Sequence, residues 1–143
     1  MYSKIYLVDD MELVNLTHQV LIRRLGLEDR IRSFTDPEKA LDDLRSDVSG
    51  TEPILVLLDI NMPEMSGFEF LEFMALEHLP ANIDVIVVTS SISAEERILA
   101  DRYPRFVKDF VTKPLKMENL RQITEEAFSV QYHGPKSFIG SRQ

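Results

Sequence analysis

The sequence contains no cysteine, and this absence excludes several kinds of site at once. Without cysteine the chain cannot form a disulfide framework, a thiol nucleophile or a cysteine-ligated zinc site. Its three histidines, His18, His78 and His133, lie far apart in the sequence and show no metal-ligand spacing. A metal site built on histidine is therefore not expected.

Basic residues and long apolar runs are also scarce. The 16 Lys and Arg residues stand against 24 Asp and Glu residues, which gives a formal net charge of −8. Nucleic-acid binding needs clustered basic side chains, so direct contact with nucleic acid is not expected. No apolar run approaches the roughly 20 residues of a membrane span. Residues 1–4 lead into a predicted strand without a signal-peptide apolar region, so we expect a cytoplasmic protein.

The chain alternates strand-like and helix-like segments five times. Strands are predicted at about residues 5–8, 30–34, 54–58, 84–88 and 106–112. This alternation predicts right-handed βαβ units and a parallel sheet that is covered on both faces. Residues 1–128 are therefore expected to form one domain. Residues 129–143 are predicted to be a C-terminal tail, whose apolar pair Phe138–Ile139 is expected to dock in a groove.

The helices are predicted from apolar stripes and from start signals. The first helix is expected to end at Gly26 and to bury Leu13, Leu16, Val20, Leu21 and Leu25. Capping boxes predict the starts of the next three helices, at Thr35–Glu38, Ser66–Glu69 and Ser93–Glu96. The last helix is predicted at about residues 116–128.

Polar side chains follow four of the predicted strands at the point where each strand ends. They are Asp9 and Asp10, Asp59, Thr89 and Lys113. Ligands bind outside the carboxyl ends of the strands in open α/β sheets. Two like charges about 4 Å apart repel by roughly 4 kcal/mol at an effective dielectric near 20, so clustered acids need protons or a cation. An oxygen-rich site of this kind suits Mg²⁺.

Each of these residues alone also has an ordinary structural interpretation. Either Asp9 or Asp10 could simply cap the first helix. Thr89 could be a β-forming residue, and Lys113 a solvated strand end. The Lys113–Pro114 bond can be cis, which would fix the direction in which Lys113 leaves its strand. The functional interpretation depends on all of them meeting at one edge.

Four motifs, in this order along the chain, resemble the signature of response regulator receiver domains. They are Asp9-Asp10, the segment from Asp59 to Gly67, Val88-Thr89-Ser90 and Lys113-Pro114, and the resemblance covers roughly residues 4–128. It implies a flavodoxin-like (CheY-like) fold, which is a doubly wound five-stranded parallel sheet of order 2-1-3-4-5. It also implies a phospho-accepting protein of a two-component system or phosphorelay, in its single-domain form.

The resemblance assigns a role to each site residue. Asp59 would be the phosphoacceptor, and Thr89 and Lys113 would contact the phosphoryl group. Mg²⁺ or Mn²⁺ would be bound by Asp9, Asp10, Asp59 and the backbone carbonyl of Asn61. Phe110 matches the aromatic switch position, where Tyr is frequent, and would move together with Thr89.

The resemblance also implies the partners. The phosphoryl donor would be a phosphohistidine on a sensor histidine kinase or a phosphotransfer protein. An output protein would bind the face formed by the fourth helix, fifth strand and fifth helix. We expect a monomer or weak dimer that does not bind membranes, and no enzymatic activity beyond self-phosphorylation and slow autodephosphorylation.

Three other functions share parts of this pattern. A haloacid-dehalogenase-type phosphatase needs a second Asp two residues after the nucleophile, where this chain has Asn61, and its paired metal acids follow the nucleophile. A pseudo-receiver would have lost an acid, Thr89 or Lys113. A flavodoxin-like cofactor binder would carry a phosphate loop after the first strand, where this chain has Asp9-Asp10.

Overall fold

The computed structural model describes residues 1–47 and 52–133, with side chains described as far as residue 125. In this part of the chain the strands are β1 (Lys4–Val8), β2 (Ile31–Phe34), β3 (Ile54–Leu58), β4 (Ile83–Thr89) and β5 (Val107–Thr112). The helices are α1 (Glu12–Arg24), α2 (Pro37–Asp47), α3 (Gly67–Leu76), α4 (Ala94–Ala100) and α5 (Met117–His133). A single 3₁₀ turn (Glu28–Arg30) precedes β2.

The strands form one parallel sheet in the order β2-β1-β3-β4-β5, which confirms the predicted topology. The central strand β3 pairs with β1 and β4, and Leu58 at its end lies level with Val8 and Val87. All five residues of β3 are buried, because helices cover the sheet on both faces. The carboxyl ends of β1, β3 and β4 therefore meet at one edge.

Two apolar clusters hold the helices against the sheet. One cluster joins Leu41 of α2 and Phe70 of α3 to one face, and the other joins Ile22 of α1 and Leu120 of α5 to the opposite face. Each of these four side chains is at most 1% exposed. Their burial fixes both helical layers and so fixes the loops that leave the strand ends.

The prediction for the buried face of α1 was wrong. Leu13, Leu16 and Val20 are 71%, 45% and 42% exposed, whereas the buried positions are Asn15, His18 and Ile22. Leu21 and Leu25 do pack, partly buried, against the apolar cluster of Ile22. The helix is rotated from the predicted orientation because Asn15 gains two hydrogen bonds inside the protein, as described below.

The predicted helix starts were confirmed for α3 and α4. Ser66 and Ser93 each form a capping box with the glutamate three residues later. The start of α2 was also confirmed, since the helix begins at Pro37. Its predicted capping box was wrong, because the backbone N–H of Glu38 donates to Oδ1 of Asp36 and not to Thr35. Neither Asp9 nor Asp10 is the N-cap residue of α1, which is Met11 and has no capping side chain. The backbone N–H of Met11 donates to Oδ1 of Asp9 at 2.9 Å.

The helix α5 extends to His133, five residues beyond its predicted end, so it includes the first residues of the predicted tail. Residues 134–143, with Phe138 and Ile139, lie outside the described residues, as do residues 48–51 of the predicted loop before β3. The division at residue 128 stays a prediction. None of the described helices is long and apolar enough to cross a membrane.

Candidate functional site

Three acidic side chains converge at the carboxyl edge of the sheet. Asp9 and Asp10 follow β1 and Asp59 follows β3, and one carboxylate oxygen from each lies within 4.8 Å of the other two. Asp9 is 3% exposed and Asp59 is 5% exposed, while Asp10 is half-buried. The predicted acidic pocket is therefore present, with two of its three carboxylates out of contact with bulk water.

Lys113 is the cation that faces this pocket. Its Nζ lies 2.8 Å from Oδ2 of Asp9 and 3.6 Å from Oδ1 of Asp59. The backbone N–H of Lys113 donates to the carbonyl of Thr89 at 2.7 Å, so β4 holds Lys113 at the end of β5. The Lys113–Pro114 bond is cis, as the sequence allowed.

The surroundings of Asp59 raise the pKa of its carboxyl group. Burial raises the pKa of the Asp59 carboxyl above its usual value, and the negative charge of Asp9 raises it further. The ammonium of Lys113 and the backbone N–H of Asn61, which donates to Oδ1 of Asp59 at 3.3 Å, act in the opposite direction. One ammonium does not offset three carboxylates, so the pocket favours a second cation.

The donor set fits a hard divalent cation. All three side chains offer carboxylate oxygens, and the half-exposed Asp10 leaves room for the water ligands that Mg²⁺ usually keeps. Asn61 lies beside Asp59, consistent with the predicted use of its backbone carbonyl. The residues present therefore fit the Mg²⁺ that the family implies.

Thr89 is buried beside the acids, at 1% exposure. Its hydroxyl donates to the carbonyl of Ser91 at 3.1 Å and accepts from the side-chain amide of Asn61 at 3.4 Å. The hydroxyl thus has local partners that it can exchange for another acceptor. Asn61 connects Thr89 to the loop that carries Asp59.

The predicted switch residue Phe110 lies on β5 and contacts α4 through Arg97. Its ring is partly buried against the apolar cluster that contains Phe70. The guanidinium of Arg97, on α4, lies 4.4 Å from the centre of the Phe110 ring. A movement of Phe110 would therefore change the surroundings of Arg97 directly.

Sequence reasoning missed two residues that support the site, Asn15 and His18 on α1. The Asn15 amide donates to the carbonyls of Asp9 at 3.0 Å and Phe34 at 2.9 Å, so it ties the acidic loop after β1 to the end of β2. His18 is 5% exposed, and both Asp9 and Lys113 influence its pKa. The signal available was their spacing with Ile22, at one and two helical turns, which places all three on one face.

Comparisons with known proteins agree with this geometry. The family model for the response regulator receiver domain matches residues 5–125. A probable methanogenesis regulatory protein, FilR2 from Methanothrix harundinacea, is 35% identical over 128 residues, which is 85% of this chain and 79% of that protein. The two-component response regulator ORR26 from rice is 31% identical over 102 residues, and the match spans 71% of this chain and 16% of that protein.

Solved structures show the same fold. A CheY-like receiver domain from Methanospirillum hungatei superimposes with a TM-score of 0.73 at 22% identity, covering 94% of this chain and all of that one. A two-component response regulator from Cytophaga hutchinsonii gives a TM-score of 0.74 at 24% identity, covering 88% of this chain and 96% of that one.

The fold and the pocket define a doubly wound α/β domain with an acidic, lysine-bearing site at its carboxyl edge. Together with the family match over 121 residues, from 5 to 125, this establishes that the chain belongs to the response regulator receiver family of two-component signalling.

Proposed function

We propose that this chain accepts a phosphoryl group on Asp59 from a phosphohistidine and then changes its output face. The donor is a sensor histidine kinase or a histidine phosphotransfer protein. The observation that carries the proposal is the position of Asp59, with its Oδ1 3.6 Å from the Nζ of Lys113 in a pocket of three carboxylates. A carboxylate held beside an ammonium group in this way can act as a nucleophile toward a phosphoryl group.

Each pocket residue has a defined part in this reaction. A carboxylate oxygen of Asp59 forms a bond to phosphorus while the phosphorus–nitrogen bond of the donor breaks, and the electron pair leaves with the imidazole nitrogen. Lys113 offsets negative charge on the phosphoryl oxygens. Asp9, Asp10, Asp59 and the Asn61 carbonyl would hold Mg²⁺, which would supply further positive charge next to the phosphoryl oxygens.

The same residues explain why the acyl phosphate is expected to hydrolyse slowly. Asn61 occupies the position two residues after Asp59, and its amide does not act as a general base. The covalent chemistry is therefore proposed to be limited to self-phosphorylation and slow autodephosphorylation. This makes the domain a signalling switch and not a phosphatase.

Incubation with acetyl phosphate and Mg²⁺ is expected to add one phosphoryl group to the wild-type chain, measured as intact mass. Asp59→Asn should show no gain in mass, because the amide is not a nucleophile. Asp10→Asn should retain labelling but need more Mg²⁺, because it removes a proposed ligand and keeps the nucleophile. The exposed Asp29→Asn serves as the matched control and should label like the wild type. Undiminished labelling of Asp59→Asn would refute the assignment.

The output face is proposed to be the surface formed by α4, β5 and α5. The Thr89 hydroxyl can bind a phosphoryl oxygen only after Asp59 is modified, and this differential contact shifts the conformational equilibrium. Phe110 then turns into the space that Thr89 leaves. Phe110 lacks the hydroxyl of the more frequent Tyr, so the movement depends on packing alone.

Adding beryllofluoride, a phosphoryl analogue, should change amide hydrogen exchange from Ser90 to Leu120 as well as around Asp59. The expected cause is the coupled movement of Thr89 and Phe110. Thr89→Ala should keep the change near Asp59 and lose the change in the more distant segment. A response restricted to the neighbourhood of Asp59 in the wild type would show that this switching mechanism is wrong.

A further inference from the structure

Asn15 lies on the buried face of α1, although leucines are available nearby in the same helix. Its side chain is 1% exposed, whereas Leu13 and Leu16 are 71% and 45% exposed. The helix therefore buries an amide and leaves apolar surface in contact with water, which is unfavourable for stability. A departure of this kind from the hydrophobic pattern is typical of residues that a functional site requires.

The burial of Asn15 also leaves one of its own atoms unsatisfied. Its NH₂ group donates to two carbonyl oxygens, and this identifies the other terminal atom as the oxygen Oδ1. That oxygen is buried and accepts no hydrogen bond within the described part of the chain. A buried acceptor without a partner lowers stability. The favourable contribution of Asn15 must therefore come from the groups that its NH₂ group holds.

The NH₂ group of Asn15 fixes the backbone of Asp9. It donates to the carbonyl of Asp9 at 3.0 Å and to the carbonyl of Phe34, the last residue of β2, at 2.9 Å. The backbone N–H of Asp9 donates to the same carbonyl of Phe34 at 3.2 Å. Both backbone polar groups of Asp9 are thus tied to the end of β2, one directly and the other through Asn15.

The orientation of the Asp9 carboxylate depends on the same short loop. Its Oδ1 accepts from the backbone N–H of Met11 at 2.9 Å, so the carboxylate follows the course of residues 9–11. Met11 is the N-cap residue of α1 and supplies no side-chain hydrogen bond to the helix. Asn15 lies about one helical turn further on and is anchored outside the loop, at β2. It is therefore placed to hold residues 9–11 against a displacing force.

The displacing force is the repulsion among the carboxylates of the site. One oxygen from each of Asp9, Asp10 and Asp59 lies within 4.8 Å of the other two. Like charges this close repel each other, and Lys113 contributes a single positive charge. A loop that could move would carry Asp9 and Asp10 away from Asp59. A loop that is held keeps the three carboxylates together, so that less rearrangement is needed when a divalent cation binds.

We infer that Asn15 is a positioning residue for the cation: it fixes the backbone of Asp9 and thereby sets the affinity of the acidic site for Mg²⁺. Replacing a residue that orients metal ligands commonly lowers metal affinity by about 10- to 100-fold. A further consequence rests on the proposed function, because phosphoryl transfer to Asp59 should then need a higher Mg²⁺ concentration when Asn15 is replaced. The affinity itself can be measured without any phosphoryl transfer.

The test replaces Asn15 by leucine, which has a similar shape and no hydrogen-bond donor. In Asn15→Leu, Mg²⁺ should bind at least about tenfold more weakly than in the wild type, measured by titrating MgCl₂ into ¹⁵N-labelled protein and following the amide shifts by NMR. Without Mg²⁺, the N–H of Met11 should exchange with solvent faster than in the wild type, because residues 9–11 are no longer held.

The matched control is Ile22→Val, which removes one buried methylene group from the same helix. Its urea midpoint should fall, because the core loses packing, while its Mg²⁺ affinity should stay within about twofold of the wild type. Asn15→Ala removes the same donors as Asn15→Leu without adding bulk, and it should show the same loss of affinity.

Unchanged Mg²⁺ affinity in folded Asn15→Leu or Asn15→Ala would overturn the inference, and so would an equal loss in Ile22→Val. Failure of both Asn15 variants to fold would overturn it as well, because Asn15 would then be required by the fold and not by the cation. If the affinity falls as expected but Asp59 of the wild type takes no phosphoryl group, the proposed function fails and the positioning role of Asn15 stands.

Discussion

Replacing Gly67 by alanine is expected to lower the free energy of unfolding by about 3 kcal/mol and to slow labelling of Asp59 at least tenfold. Gly67 is the first residue of α3, and its N–H donates to the carbonyl of Ile60 at 3.1 Å. A β-carbon there would lie 2.7 Å from the Asp59 carbonyl oxygen and 2.8 Å from the Ile60 Cα. Backbone atoms cannot rotate away, so the loop that carries Asp59 must shift.

Space, and not conformational freedom, makes glycine necessary at this position. The matched control is Gly26→Ala, where φ is +77° but nothing lies within 4 Å of the added carbon. In that variant the free energy of unfolding should fall by only about 1 kcal/mol, because of backbone strain, and Asp59 should be phosphorylated at the wild-type rate. Urea unfolding gives the free energies and intact mass gives the labelling rates. Wild-type stability and labelling in Gly67→Ala would show that the loop tolerates the displacement.

The prediction that the sequence made best was the arrangement of the strand ends. Buried parallel strands can be recognised in a sequence as short runs of apolar residues. The right-handedness of the crossovers then leaves few possible orders of the strands in the sheet. Asp9, Asp59 and Lys113 could therefore be placed at one edge without coordinates. Their proximity follows from topology, because any residue that comes directly after one of these strands is delivered to the same edge.

The orientation of α1 could not be predicted in the same way. Its buried face contains Asn15, whose side-chain NH₂ group donates to the carbonyl of Phe34, a residue 19 positions away. Buried polar side chains generally have hydrogen-bond partners. The periodicity of apolar residues does not indicate which distant residues supply those partners. Leu13 and Leu16 were assigned to the core because leucine is usually buried, although an exposed leucine is not unusual.

The side-chain pairing of Arg97 illustrates the same limit. The contact between Arg97 and Phe110 joins α4 to β5 and depends on how the two elements pack. Side-chain pairings between elements follow from the fold and become visible only once the fold is known.

Mild acid is expected to destabilise the metal-free domain through His18. Burial lowers the pKa of His18 from 6.5 to about 4, against the opposing effect of Asp9. Because the folded-state pKa lies below that of the unfolded chain, the unfolded chain takes up the proton first. The contribution of neutral His18 to the free energy of unfolding is complete above pH 6.5 and is lost as the pH falls towards 4. This shift corresponds to about 3 kcal/mol of unfolding free energy.

The difference between His18→Gln and the wild type isolates this contribution. Asp59 titrates in the opposite sense, since its raised pKa adds stability as the pH falls, so the wild-type curve alone combines both effects. Urea unfolding of each protein from pH 7 to pH 4, in EDTA, should show the wild type losing about 3 kcal/mol more than His18→Gln. His78→Gln serves as the control, because it removes a histidine whose side chain is exposed in the folded protein. Parallel curves for His18→Gln and the wild type would mean that His18 gains its proton without unfolding the chain, and that the space between α1 and Lys113 admits water.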